Sequence, residues 1–563
     1  MSSTTTAHEK GGGDGDRRPS VEMKDSVARP DERTKHSSPS SSTTHPTDLS
    51  EKASDDELKR SEDVEDAGSR GPEDEEDARS ADGPATTKSG RPPISLLREV
   101  FLVAIITMAQ LMTQAALGNT VAPTHIISKS FDTKSAGELS WYMAGYSLTV
   151  GTFIFIAGRL GDMYGHKLMF VGGFSWFALW SMIAGLSVYT HNQIFFDVCR
   201  AFQGIGPAFV LPNGIAVLGR LYPQGTRKNM VFSIFGASAP GGFVIGAAFG
   251  SIFAQLTWWP WAFWCLTLVC ALIAGLAVIV IPTAEKPPAD HPVQKFDFIG
   301  SVLGVGGMVL INVAWNQGPI VGWQTPYTYI LLIIGILLLV AFSFAERRVA
   351  QPLLPMEALN SHSLFVLACV AAGWSSFGIW LYYTWQFLEL IRGSSPLLAT
   401  AQFGPAPPSG LAAALTSGYI MHRVKTSWVM LGALTAFMVG DILMATAPAG
   451  QTYWVQTFVA LLIIPWGMDM SFPASTLVLS NTMPHQHQGM AASLVTTIIN
   501  YSMSIGLGIA GTVEMQINKS GTEMLKGYRA AWYTAIGLSG LGVAIAALFV
   551  YQSYTKHGNV QHT

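Results

Sequence analysis

Gly158-Arg159-Leu160-Gly161-Asp162-Met163-Tyr164-Gly165-His166-Lys167 is a short polar turn between two apolar runs, 141–157 and 168–187. A helix needs about 20 apolar residues to cross the hydrocarbon core of a bilayer, so both runs read as spans. The turn joins them at one membrane surface. Its Arg159 and Lys167 are the residue types that accumulate on the cytosolic side.

The same criterion, applied outward, gives fourteen spans: 97–118, 141–157, 168–187, 193–218, 230–254, 261–282, 297–315, 328–345, 364–388, 400–420, 428–447, 456–480, 493–516 and 530–553. Pro405, Pro407 and Pro408 interrupt the tenth, which reads as kinked. An even number places both termini on one side. With the N-terminus inside, the cytosolic segments near the membrane hold 14 Lys and Arg, against six in the opposite loops. That ratio predicts a multi-pass membrane protein with both termini in the cytosol. Asn518-Lys519-Ser520 then falls in an outer loop as a glycosylation acceptor, while the same pattern at Asn500 lies inside a span.

Composition agrees with a bilayer protein. The 563 residues are 49% hydrophobic and only 13% charged, about half the charge of a soluble domain. Residues 1–90 differ: 22 acidic and 13 basic side chains, a net of −9, with no Trp, Phe, Tyr, Ile or Cys. Such a segment cannot bury enough apolar surface to offset chain entropy and is expected to be a disordered cytosolic tail. Residues 554–563 read as a short second tail. Cys199, Cys265, Cys270 and Cys369 all lie in apolar runs and read as small buried hydrophobes. No zinc spacing, P-loop or catalytic elbow occurs, which argues against an ATP-driven pump and leaves no enzyme constellation. His485 and His487 have no third ligand nearby. No metal, cofactor or nucleic-acid partner is implied.

The turn at 158–167 resembles the loop motif of the major facilitator superfamily: Gly, any, Leu, small, Asp, basic, any, Gly, basic, basic. Gly158, Arg159, Gly161, Asp162, Gly165 and Lys167 match it, and Met163 stands where a basic residue is usual. The glycines permit close helix packing, and Asp162 is placed to cap a helix or pair with an Arg. Gly418-Tyr419-Ile420-Met421-His422-Arg423 after the tenth span is a weak echo, as parallel repeats of a transporter would give. Arg200-Ala201-Phe202-Gln203-Gly204 is similar to the family's second motif, and the resemblance implicates Arg200 in proton coupling. Asp197 lies one turn before it, at a spacing that permits an ion pair. Pro240, Gly241, Gly242, Gly246 and Gly250 resemble the antiporter motif of the fifth span and read as close helix packing.

Phe296-Asp297-Phe298-Ile299-Gly300 and Asn316-Gln317-Gly318-Pro319, with two extra spans between six-helix halves, resemble the fourteen-span drug:proton antiporter family. The resemblance implies an all-α membrane protein of the major facilitator fold. Its halves are 97–282 and 364–553, with two central helices at 297–345, and it is expected to work as a monomer. The first span carries Gln110 and Gln114 where drug exporters usually have Asp. In this it is similar to a fungal subgroup of aminotriazole- and borate-resistance exporters and low-affinity ammonium transporters.

The resemblance places the first, fourth, ninth and twelfth spans around the substrate, with carrier sites near the midplane. Gln110, Gln114, Gln203, Trp374, Tyr382, Trp385 and Asn500 are the expected cavity residues. Arg200 and Asp469 are the expected coupling charges. A midspan acid is a candidate proton carrier because its charged form is costly in hydrocarbon. Trp258, Trp259, Trp261 and Trp264 read as an interfacial belt, and Asp441 as a structural interhelical bond. The expected activity is proton-coupled export of a small organic or inorganic compound. The alternatives are low-affinity passage of a small polar solute such as ammonium, or a non-transporting sensor with a signalling tail.

Overall fold

The computed structural model describes residues 96–133, 136–222, 226–282, 296–349, 353, 360–421, 423–482, 488–519 and 521–558. The acidic tail at 1–90, residues 559–563 and the histidines at 485 and 487 lie outside these. All regular elements among the described residues are helical.

The first six-helix half comprises α1 (Leu96–Val121), α3 (Ala136–Tyr164), α4 (His166–Leu186), α5 (Gln193–Leu221), α6 (Thr226–Leu256) and α7 (Pro260–Val280). A short α2 (Thr124–Lys129) follows α1. The central hairpin is α8 (Phe298–Val321) and α9 (Pro326–Glu346). The second half comprises α10 (Ser361–Gln386), α11 (Pro396–Gln402), α12 (Ala406–Ile420), α13 (Thr426–Thr446), α14 (Gln456–Thr482), α15 (Gln488–Ile517) and α16 (Met524–Gly558). Thirteen of the described helices are long and apolar enough to cross a membrane.

The tenth expected span, 400–420, is not one helix. It is split into α11 and α12 by a turn at Phe403–Pro405. The prolines cause the break, because proline cannot donate to the helical ladder and excludes the preceding residue from helix. Tyr453 restores one freed carbonyl by donating its hydroxyl to Gln402 O at 2.6 Å. With this segment, all fourteen places in the order are filled.

Two faces follow from the helix ends. On the Leu96 face, Glu99 of α1 accepts bonds from Tyr222 at 2.8 Å and from Arg227 of α6. Burial first, and the bond to Glu99 second, push the Tyr222 phenol up to about 12, so it remains a donor. On the opposite face, Trp259 donates to Ser130 at 2.9 Å and is 2% exposed. Trp259 is therefore a core residue and not part of a belt, while Trp258 and Trp261 remain exposed. Trp264 packs on Gly185, where a Cβ would stand 2.4 Å from the indole Nε1.

Candidate functional site

The two halves meet along two seams. In the first, α3 lies on α15: Thr497 donates to Gly151 O at 2.8 Å and Ser504 to Ala144 O at 3.2 Å. In the second, α6 meets α11 and α12. Ser251 bonds Thr400 at 3.0 Å, and Leu397 N donates to Gln255 at 3.1 Å. Phe243, Trp385 and Phe403 form an aromatic cluster across it, with centroids 5.9 Å and 4.3 Å apart for Phe243–Trp385 and Trp385–Phe403. His125 of α2 faces the Gln386 side chain of α10, and its Nε2 has no well-aligned hydrogen bond. Burial first, with Lys129 adding to it, holds this imidazole below its usual value.

The central hairpin joins the first seam. Tyr501 of α15 donates to Met308 O at 3.1 Å, and Ser504 reaches Asn312 at 2.8 Å. The extra helices are thus anchored through α8. Few residues of α9 are buried, namely Thr328, Gly335 and Glu346.

The loop motif sits at the Leu96 face within the first half. Asp162 pairs with Arg220 of α5 at 3.1 Å and lies 3.4 Å from His166. It caps no helix; Gly165, at φ 99°, occupies the cap position of α4. A Cβ at Gly161 of α3 would stand 1.8 Å from Asn213 Oδ1 of α5. His166 bonds that same Asn213 at 2.8 Å. The motif glycine thus makes room for a buried polar pair.

The glycine series in α6 has a defined partner. A Cβ at Gly242 would stand 2.4 Å from Leu111 O, at Gly246 2.0 Å from Ala115 O, and at Gly250 2.6 Å from Asn119 O. Gly118 of α1 reciprocates against Phe243 O. These are backbone-to-backbone contacts along one stripe of α1. Gly241 is not among them: a Cβ there meets nothing within 4 Å. It is rotated about 100° from Gly242 around the helix, off the contact stripe.

Arg200 is completely buried inside the first half. Its Nε donates to Tyr142 O at 3.1 Å, its Nη1 bonds Gln203, and its guanidinium lies 4.5 Å from the Tyr146 ring. It makes no ion pair with Asp197. Asp197 instead takes a bond from Gln193 at 3.4 Å. The i, i+3 spacing permitted the pair, but the carbonyl and ring of α3 offered Arg200 a better cradle. Gln203 continues this chain to Ser181 of α4 at 2.6 Å, which places it between helices and away from a cavity.

Three further expected cavity residues are also packed within the protein. Trp374 bonds Ser471 of α14 at 3.1 Å and lies edge-on to Phe377 and Phe437. Tyr382 is 2% exposed, edge-on to Tyr383. Trp385 bonds Glu389 at 2.8 Å within the aromatic cluster. Residues at i, i+8 and i+11 share a face in projection, but each here meets a different neighbour. Gln110, Gln114 and Asn500 stay half-buried. Asn500 donates to Thr496 O of its own helix at 2.9 Å. Asp441 is a structural bond, accepting from Ser539 at 2.9 Å. All four cysteines are free.

Asp469 lies at the second seam. Among the described residues its Oδ2 is buried without a hydrogen-bond partner. A Cβ built on Gly410 of α12 would stand 2.6 Å from that oxygen and 3.0 Å from Pro240 of α6. The carboxyl therefore sits where the two halves touch. Counted from the opposite face, Arg200 is 7 residues into α5 and Asp469 is 13 into α14. At 1.5 Å per residue, their backbones differ in depth by about 9 Å. The sequence marked Asp469, but the Gly410 and Pro240 contacts carry no local signal beyond small size.

Comparison with known proteins accords with this architecture. The family model for the Major Facilitator Superfamily matches residues 100–425 and 363–563. The chain is 60% identical to a low affinity ammonium transporter of Saccharomyces cerevisiae, over 82% of this chain and 91% of that protein. It is 45% identical to the efflux pump terJ of Aspergillus terreus, over 82% and 90%. It is 40% identical to the aminotriazole resistance protein of Saccharomyces cerevisiae, over 82% and 85%. In fold it is similar to the crystal structure of the POT family transporter PepTSo, with TM-score 0.59 and 14% identity, covering 82% of this chain and 99% of that one. These relatives are transporters and not enzymes. A fourteen-segment bundle with two six-helix halves, the loop turn at 158–167 and these matches give one conclusion: the chain belongs to the Major Facilitator Superfamily.

Proposed function

We propose that this protein is a proton-coupled secondary transporter that exports a small organic or inorganic compound across the plasma membrane, with both termini in the cytosol. The observation that carries the reading is the Asp469 carboxyl, buried on one oxygen, without a partner, at the contact between the halves. A protonatable group at a moving seam can bind a proton in one arrangement and release it in the other. The half-buried Gln110, Gln114 and Asn500 supply uncharged hydrogen-bonding groups for a substrate. Arg200 is fixed in its own half and contributes through its field. The names of the efflux pump and the aminotriazole resistance protein support export.

A second reading is low-affinity ammonium transport, favoured by the relative at 60% identity. Purified carrier in liposomes, assayed with and without an imposed pH gradient over a panel that includes ammonium, separates the two. Accumulation of an organic compound driven by the gradient supports export. Flux of ammonium alone supports the second reading, and no flux of any solute overturns both.

Two predictions arise here. Asp162→Asn removes the charge that pairs with Arg220 at the Leu96 face, remote from Gln110 and Gln114. Turnover should fall about tenfold with substrate affinity little changed, an effect of about 1.4 kcal/mol on the cycle. A large affinity loss at unchanged turnover contradicts this role. The orientation is tested at Asn518, whose Nδ2 donates to Glu514 at 3.1 Å and whose Oδ1 accepts from Glu523 N. A membrane-impermeant reagent applied to intact cells should label a cysteine placed at Lys519, and labelling only after permeabilisation reverses the orientation.

A further inference from the structure

The unpartnered Asp469 oxygen and its two neighbours come from three helices and both halves. The main chain of α12 approaches the carboxyl closely only because residue 410 has no side chain. Pro240 of α6 stands on the same side of Gly410 as the carboxyl, its ring 3.0 Å from that Cβ position, and it has no N–H to offer. Neither neighbour provides a free donor to an ionised carboxylate, and an uncompensated charge in hydrocarbon is costly. Other ionisable groups on the helices packed around it are remote or engaged. Asp441 of α13 is bonded to Ser539, and Glu514 lies towards the far end of α15. His362, at the start of α10, packs on Phe549; Tyr382 and Tyr383 of α10 are buried, Tyr501 of α15 donates to Met308 O, and Cys369 of α10 is a buried thiol. On α12 itself the only ionisable side chain is Tyr419, near its end. Arg227 and Lys228 of α6 are 13 and 12 residues before Pro240, about 18 Å away or more along the helix.

We propose that Gly410 is a positioning residue that presses the Asp469 carboxyl against Pro240 of the opposite half, so that closure of the α6–α12 seam and ionisation of Asp469 exclude one another. This rests on the reading of Asp469 as the proton-binding group and adds how the proton is felt by the fold. With the carboxyl neutral, α12 and α6 touch at Gly410 and Pro240. When the proton leaves, the charge needs water, and the seam separates to admit it. Proton binding at Asp469 thereby favours the arrangement described here.

The test is a distance measurement that needs no substrate. Spin labels are attached at cysteines placed at Lys228, near the start of α6, and Tyr419, near the end of α12. The background is full-length carrier in nanodiscs with the four native cysteines replaced. Distance distributions are recorded by pulsed electron resonance at about pH 5.5 and about pH 8.5. The separated population should rise about threefold or more between these values. In Asp469→Asn the distribution should stay at its low-pH form throughout. In Gly410→Ala, whose methyl intrudes between carboxyl and proline, the separated population should dominate at both values. A distribution that does not change with pH in the parent overturns the proposal, and so does an unchanged pH response in Asp469→Asn. Gly410→Ala behaving like the parent also overturns it. Flux in liposomes separates this from the wider reading. Asp469→Asn that still accumulates substrate defeats the coupling role whatever the distances show, whereas lost coupling with unmoved distances defeats only the seam.

Discussion

Asp469→Asn is expected to abolish uphill, proton-driven transport while leaving measurable downhill exchange. The amide keeps the shape of the carboxyl and cannot titrate. It still fits against Gly410, because the space that admits Oδ2 admits an amide of the same size. The bundle should therefore fold, and substrate should still reach Gln110, Gln114 and Asn500. What disappears is the link between proton movement and the arrangement of the halves. In liposomes with an imposed pH gradient, accumulation above equilibrium should fall to background, a loss of about a hundredfold or more in the coupled rate. Counterflow, with substrate on both sides and no gradient, should persist. Wild-type accumulation in this variant removes Asp469 from the coupling role.

Gly246→Ala should be the most damaging small change in the first half. The added methyl would lie 2.0 Å from the Ala115 carbonyl, which belongs to the backbone of α1 and has no rotamer to change. The two helices must separate, and the stripe that includes Gly242, Gly250 and Gly118 loosens with them. Overpacking of this kind costs about 1–3 kcal/mol or more. The melting temperature of purified protein should fall by several degrees, and the monodisperse yield should fall with it. Gly241→Ala is the matched control. The same methyl five residues earlier meets nothing within 4 Å, and its melting temperature should stay at the parent value. Equal effects of the two substitutions would show that the stripe on α1 is not what selects glycine.

Much of the fold was legible in the chain because hydropathy is a one-dimensional property. A run of about 20 apolar residues is a span wherever it packs, so span positions and the central hairpin could be read directly. The expected 193–218 and 456–480, for example, correspond to Gln193–Leu221 and Gln456–Thr482. The one departure, the break into α11 and α12, fell where the prolines had marked it. The site was less legible. Trp374 and Trp385 looked like cavity aromatics on one face, yet Trp374 is held by Ser471 and Trp385 by Glu389, Phe243 and Phe403. Trp259 looked interfacial by its neighbours and is buried by its bond to Ser130.

The sequence by itself determined a membrane bundle of fourteen segments, the loop turn at 158–167 and the rarity of charge within the spans. Each follows from local composition and from the cost of polar groups in hydrocarbon. The tertiary structure alone decided which neighbour each polar group meets. Periodicity gives the angle of a side chain around its helix and says nothing of which helix lies at that angle. Arg200 was therefore free, on paper, to face Asp197 or the cavity, and packing turned it to Tyr142, Gln203 and Tyr146. Asp469 was a midspan acid on paper, and packing set it against Gly410 and Pro240, between the halves. The physical reason is that interhelical contacts are made between residues far apart in the chain, through backbone approach that only a missing side chain allows.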